Sequence, residues 1–157
     1  MSFRDSASFG KRQEFVAIAE LLRRGFDVYL TLVDDKQIDC LVRREVKGKP
    51  VYLDIQIKAR SKRCNLQNAG GFAGLKVLKP RANFFFLFYS ERLDTYWVLP
   101  STKLVREASQ NKTGRNKGLY TLYLASLSRK TGKVTPRPKF EKYRNNFDIL
   151  KEWKGRL

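Results

Sequence analysis

The chain has 157 residues, with 33 lysines and arginines against 15 aspartates and glutamates, for a formal net charge of +18 and no histidine. The length fits one domain over residues 1–157 with a substantial core, and the charge exceeds what solubility needs and favours a polyanionic partner. Without histidine there can be no Ser-His-Asp triad, histidine pair or histidine-bound metal finger, and two cysteines, Cys40 and Cys64, are too few for a zinc site or a disulfide framework.

In chain order, Lys11 to Gly25 carries Phe15, Ile18, Leu21 and Leu22 at helical spacing, and Gly25 supplies the stop. Glu14 precedes Ile18 by one helical turn and so lies on or beside the apolar stripe. A carboxylate there needs a partner. Metal is one; the plainer reading is a first-turn acid that complements the helix dipole and pairs with Lys11 or Arg12. Three strand-like stretches follow, Asp27 to Val33, Gln37 to Val46 and Val51 to Arg60. Lys47-Gly48-Lys49-Pro50 is a turn signal, so the second and third form an antiparallel hairpin that brings Asp39 toward Gln56 and Lys58.

The third stretch alternates cleanly. Tyr52, Asp54, Gln56 and Lys58 fall on one face and Val51, Leu53, Ile55 and Ile57 on the other, so one face is core and the other holds polar chemistry. Magnesium takes hard oxygen ligands and keeps several waters, so a site could be completed by Asp39, the amide oxygen of Gln56 and a substrate phosphate. Strand rise puts Lys58 about 6 to 7 Å from Gln56, where an ammonium can orient water or offset charge on a reacting phosphate. A lysine alone on a strand face is usually just solvated; the company of Asp39 and Glu14 points to phosphodiester cleavage.

Glu14 on a first helix, Asp39 in QIDCLV and Gln56-x-Lys58 in VYLDIQIKAR resemble the core of the PD-(D/E)xK nuclease superfamily, whose small members include Holliday-junction resolvases and intron homing endonucleases. The likeness is specific over residues 10 to 60; later, NFFFLFYSERLDTYWVLPS and NKGLYTLYL resemble segments of small nuclease-like domains. The resemblance implies an α/β, restriction-endonuclease-like αβββαβ core, a mixed sheet flanked by helices. It also implies that Asp39 is the shared metal-binding aspartate, Lys58 the catalytic lysine and Glu14 an accessory acid or second-metal ligand, with Mg2+ or Mn2+ as cofactor and DNA as substrate. Two positions depart from the pattern: Ile38 stands where proline precedes the aspartate, and Gln56 replaces the usual acid. The alternative to an active enzyme is therefore a catalytically inactive DNA-binding or assembly module. Asp54 shares the face of Gln56 and could compensate as a ligand, or could pair with Arg43 or Arg44 across the hairpin.

Charge is uneven along the chain. Residues 1–60 hold 12 cations and 9 acids, whereas residues 61–157 hold 21 and 6, net +15. Ser61 to Leu78, with Asn68-Ala69-Gly70-Gly71 and Gly74, reads as a loop or short irregular helix. Its Lys62, Arg63 and Lys76 could follow a DNA backbone that glycine lets come close, or could belong to a plain surface connection. Phe84 to Tyr89 is a buried central strand and Tyr96 to Leu99 the next. Ser101 can cap a short helix through Ala108 that exposes Lys103 and Arg106. Lys112, Arg115 and Lys117 lie in a turn-rich loop, Asn111 to Gly118, suited to phosphate contact, before a strand from Leu119 to Leu124. Ser128 to Lys139 reads as a second basic loop, and Asn146 to Trp153 as a short helix packing Phe147, Leu150 and Trp153 on the core.

No apolar run of about 18 residues occurs, no signal-peptide pattern stands at Met1-Ser2-Phe3-Arg4, and the free cysteines suit a reducing compartment. The expected setting is the cytoplasm, away from membranes. No G-x-x-x-x-G-K-[ST] segment is present, so ATP-driven work would need a partner. Duplex cleavage needs two sites, which implies a homodimer or higher homo-oligomer, with exposed aromatics late in the chain as the interface. RNA recognition by stacking on an open sheet is disfavoured, because the aromatics fall in core-like runs.

Overall fold

The first helix, α1 (Phe3–Arg23), starts earlier than the periodicity from Lys11 predicts and ends where Gly25 predicts. Gly25 adopts φ +83°, its N–H donates to Leu22 O and the Phe26 N–H to Leu21 O; this paired closure satisfies the last carbonyls of the helix. The computed structural model describes residues 3–33 and 36–155; Met1 and Ser2, which enter the expectation of no secretion signal, lie outside it. The buried stripe of α1 is Ala17, Ile18 and Leu21, while Phe15 and Leu22 are each 55% exposed, contrary to their expected place in the core. Glu14 continues the buried stripe by one turn, so the helix aims it at the sheet.

Five strands form the main sheet in the order β1 (Asp27–Leu30), β2 (Cys40–Val46), β3 (Lys49–Arg60), β5 (Phe84–Ser90) and β6 (Thr95–Pro100). β3 pairs with β5 in parallel, and the other neighbours are antiparallel. The β2–β3 hairpin closes on Lys47 and Gly48, at φ +52° and +74°, the two positive angles of a two-residue turn that matches strand twist. A parallel pair needs a crossover. Here the crossover is a 3-10 turn, Leu66–Asn68, and a short strand, β4 (Gly71–Leu75), where an αβββαβ order places a helix and where the sequence suggested a loop or a short irregular helix. The helix α2 (Ser101–Glu107) instead follows β6. The architecture is the expected mixed α/β sheet flanked by helices.

Both sheet faces are covered. Cys40, Val42, Leu53, Ile55, Ile57, Phe85 and Leu87 meet α1, Phe147 and Leu150 on one side. Phe84, Phe86, Phe88, Trp97 and Leu99 meet Phe72, Leu104, Leu122 and Phe140 on the other. The polar row of β3 therefore lies beside a second core. Burying each of these phenylalanines contributes about 1.5–3 kcal/mol, which is why Phe84–Phe88 can form a strand without alternation.

β4 belongs to a second sheet, of order β4-β8-β7, with β7 (Ser109–Gln110) and β8 (Tyr120–Tyr123). The stretch expected as a second basic loop contains part of a hairpin, β9 (Ala125–Leu127) with β10 (Val134–Pro136), and runs into a 3-10 turn, Pro138–Tyr143. α3 (Asp148–Lys151) closes the chain with Phe147 and Leu150 buried and Trp153 packed beside them, as expected. Ser101 does not cap α2: its hydroxyl accepts the Arg81 N–H and donates to the Arg81 carbonyl. Lys103, expected to be exposed, is bound to Glu107 at 2.7 Å and half-buried. Exposed large apolar side chains cluster early, at Phe15, Leu22, Tyr29, Leu30, Leu32 and Val33, and of the late aromatics only Tyr123 joins them among the described residues. The late interface expected from the sequence is thus not supported.

Gly70 and Gly71 do permit a close approach, but from within the protein. A Cβ on Gly70 would stand 2.4 Å from that of Ala125, and one on Gly71 2.8 Å from the Tyr123 ring. Gly70→Ala should overpack this contact and lower stability by about 1–3 kcal/mol. An unchanged denaturant midpoint would show that the contact of Gly70 with Ala125 yields freely.

Candidate active site

Asp39 sits where the chain enters β2. The Thr31 hydroxyl donates to the carbonyls of Ile38 (2.7 Å) and Asp39 (3.2 Å), tying down the irregular segment before the strand. The Asp39 N–H donates to Ile55 O at 2.9 Å, and its Oδ2 accepts the Ile57 N–H at 2.6 Å. With Cys40 paired to Ile55, Asp39 comes opposite Gln56. Backbone bonds from both directions thus fix this carboxylate at the β2–β3 junction.

Gln56 is 3% exposed, and its Oε1 is buried with no hydrogen-bond partner among the described residues. An acceptor in that state costs about 1–3 kcal/mol unless a cation or water engages it. The buried Oε1 atoms of Gln13 and Gln37 are likewise without partners among the described residues; Gln13 adjoins Glu14 and Gln37 leads into Asp39. Three amide oxygens on the segments that carry the site are therefore open as acceptors.

Glu14 forms an ion pair with Lys11 at 2.8 Å and keeps 19% side-chain exposure, so the plainer partner is present. Its charge also reaches Cys40, the chain neighbour of Asp39. The Cys40 thiol is pushed up to about 12, first by burial and then by the negative charges of Asp39 and Glu14. The helix and strand acids thus converge on one buried residue. Lys58 lies on the same strand face as Gln56, half-buried, in register with Phe88 of β5, and makes no ion pair with a described residue. The expected alternation of β3 holds, with Gln56 more enclosed than a solvated face would leave it.

Asp54 is engaged elsewhere. It pairs with Arg81, not with Arg43 or Arg44: Arg43 faces Asp27 at 3.8 Å, and Arg44 donates to Trp153 O at 2.6 Å. No grouping of three or more cysteine, aspartate or glutamate side chains suited to a metal occurs among the described residues. Any cation held here would rest on Asp39, Gln56 and Glu14.

Beyond Lys58, the chain leaving β3 faces the first turns of α1 across a cleft of about 300 Å³ lined by Ser8, Arg12, Ser61, Lys62, Arg63 and Glu91, among others. The Lys62 N–H donates to Glu91 at 2.9 Å, fastening this loop to the β5–β6 turn. Nothing in the sequence marks Arg12 as part of this cleft; only the packing of α1 on β3 brings it there. Lys62, Arg63 and Lys76 are exposed, as are Lys112, Arg115 and Lys117 in the β7–β8 connection, and none forms an ion pair with a described residue. The first two border the cleft, and the last three belong to the second sheet. No helix among the described residues is long and apolar enough to cross a membrane.

No protein-family model matches the chain, and no curated protein does. Among solved structures, the bacterial homing endonuclease I-Ssp6803I is similar, with a TM-score of 0.59 over 90% of this chain and 89% of that one at 19% identity. D212, a nuclease from a fusselovirus, gives a looser match, with a TM-score of 0.46 over 74% and 79% at 15% identity. The chain therefore shares the fold of a homing-endonuclease structure, a five-stranded mixed sheet between helices.

Proposed function

We propose that the chain is a metal-dependent DNA endonuclease of the PD-(D/E)xK kind, hydrolysing phosphodiester bonds at Asp39, Gln56 and Lys58 with help from Glu14. The observation that carries this reading is the buried Oε1 of Gln56, without a partner among the described residues, opposite Asp39, with Lys58 next along the same strand face. Hard oxygen donors of this kind suit Mg2+ or Mn2+: Asp39 and Gln56 would hold the ion, and Glu14 would add a ligand or bind a second one. A divalent ion there would supply Lewis acidity and offset charge on the phosphate. Lys58 orients the attacking water and stabilises negative charge on the reacting phosphate. The cations of the adjoining cleft, Arg12, Lys62 and Arg63, hold the strand by its phosphates.

The substrate is DNA, and cutting both strands calls for a homodimer or higher homo-oligomer acting in the cytoplasm. A second reading, a silent DNA-binding module, draws on Gln56 in place of an acid and on the engagement of Asp54 with Arg81. Purified protein tested on supercoiled, linear and branched DNA separates the two. Nicking or cutting that requires Mg2+ or Mn2+ and stops with chelator is expected; binding without cleavage under either metal would favour the silent module.

A further inference from the structure

From Ala108 to Phe140 the chain contains no aspartate or glutamate and eight lysines and arginines. A surface kept merely soluble interleaves both signs. The acids that flank the segment are already matched: Glu107 holds Lys103 at 2.7 Å and Lys139 at 2.9 Å, and Glu141 holds Arg144. Six of the remaining cations sit in two connections, Lys112, Arg115 and Lys117 between β7 and β8, and Arg129, Lys130 and Lys133 between β9 and β10. All six are exposed and none is ion-paired with a described residue.

These connections are shaped. Gly118 N–H donates to Asn111 O, and Asn111 N–H to Leu119 O, closing the first; the Ser128 N–H donates to Lys133 O across the second, with Gly132 at φ +65°. β8 runs almost directly into β9, and the glycine contacts at Ala125 and Tyr123 seat that spine on β4. Beside it lies a groove of about 480 Å³ whose lining includes Gln67, Tyr123, Ser126, Arg129 and Arg137. Arg137 is held by the carbonyl of Tyr123 at 3.3 Å. The groove shares no lining residue with the cleft beyond Lys58.

We propose that the two hairpins and this groove form a second DNA-docking surface, separate from the candidate cleavage site, that grips the sugar-phosphate backbone of a duplex. The proposal rests on the endonuclease reading for its substrate. Within the segment, Tyr123 is the one exposed large apolar side chain, too little aromatic surface for a single-strand stacking platform and no apolar wedge for a lipid surface. Charge without stacking partners suits phosphates on a regular duplex, where each neutralised phosphate adds to the salt dependence of binding.

The test measures binding of a labelled duplex of several helical turns in chelator, across a range of salt. Arg129→Glu, Lys130→Glu and Lys133→Glu combined, and separately Lys112→Glu, Arg115→Glu and Lys117→Glu combined, should each weaken binding at least tenfold and flatten the slope of log affinity against log salt by about 2–3. Thermal midpoints should hold, since all six positions are exposed. If wild type binds duplex DNA and cleaves it while the hairpin variants keep its slope, this proposal falls and the endonuclease reading stands. Failure of wild type to bind DNA at any salt overturns both. Preference for single strands, duplex RNA or an acidic protein over duplex DNA overturns the assignment of the surface to a DNA duplex.

Discussion

Lys58→Ala and Asp39→Asn should each lower DNA cleavage by about 10²–10⁴-fold, the range expected when a charged group acts directly on the reacting atoms, while duplex binding stays near wild type. Asparagine is the informative change at Asp39. The Asp39 Oδ2 accepts the Ile57 N–H at 2.6 Å, so alanine would strip an acceptor from a partly buried backbone donor and cost about 1–3 kcal/mol. Asparagine keeps an acceptor and removes the charge, which separates the structural role of the residue from its metal-binding role. Lys58 makes no ion pair with a described residue, and its replacement should change stability by no more than about 0.5 kcal/mol. Cleavage rates on supercoiled DNA, read beside thermal midpoints, decide the matter. Full activity in both variants would remove these residues from the active site.

The relative placement of the candidate residues was legible in the sequence because it is local. Asp39 immediately precedes β2, and Gln56 and Lys58 lie on β3, which a two-residue turn joins to β2, so the turn at Lys47-Gly48 and the period-2 pattern of β3 suffice to bring Asp39 opposite Gln56. Glu14 was placed on the inner stripe by helical spacing alone, although Phe15 and Leu22 turned outward: period 3.6 allows two neighbouring stripes, and only packing on β3 chooses between them. What could not be read depends on distant partners. Asp54 pairs with Arg81 because the parallel β5 begins beside it, while the nearer Arg43 and Arg44 are drawn to Asp27 and Trp153. β4, β9 and β10 are strands of only three to five residues, too short to show a clear period-2 pattern. They read as loops until their partners are known, and with them went the correct use of Gly70 and Gly71. The apolar surface at Tyr29, Leu30, Leu32 and Val33 was similarly hidden, since exposed and buried edge strands have the same composition.

The Gln56 series should give the second large effect, on stability as well as cleavage. Gln56→Ala removes the buried amide oxygen opposite Asp39 and should lose cleavage together with affinity for Mg2+. Gln56→Glu puts a carboxyl in a position that is 3% exposed, where desolvation disfavours its charged form and raises its pKa in the folded state. The sign follows from linkage. A folded pKa above the unfolded value means that the metal-free variant is relatively most stable below about pH 4.3 and loses stability as pH rises through the raised pKa, by about 1.4 kcal/mol for every tenfold weakening of the carboxylic acid on folding. Divalent metal should reverse this, because a carboxylate offers a hard cation a full charge where the amide offers a dipole. Raising pH from about 5 to 8 should thus lower the melting temperature of metal-free Gln56→Glu relative to wild type, and saturating Mg2+ should restore it more than it raises that of wild type. Calorimetric titration should rank metal affinity as Glu above Gln above Ala, with cleavage retained in Glu. Equal affinity in all three would exclude Gln56 as a ligand and leave the cation to Asp39 and Glu14.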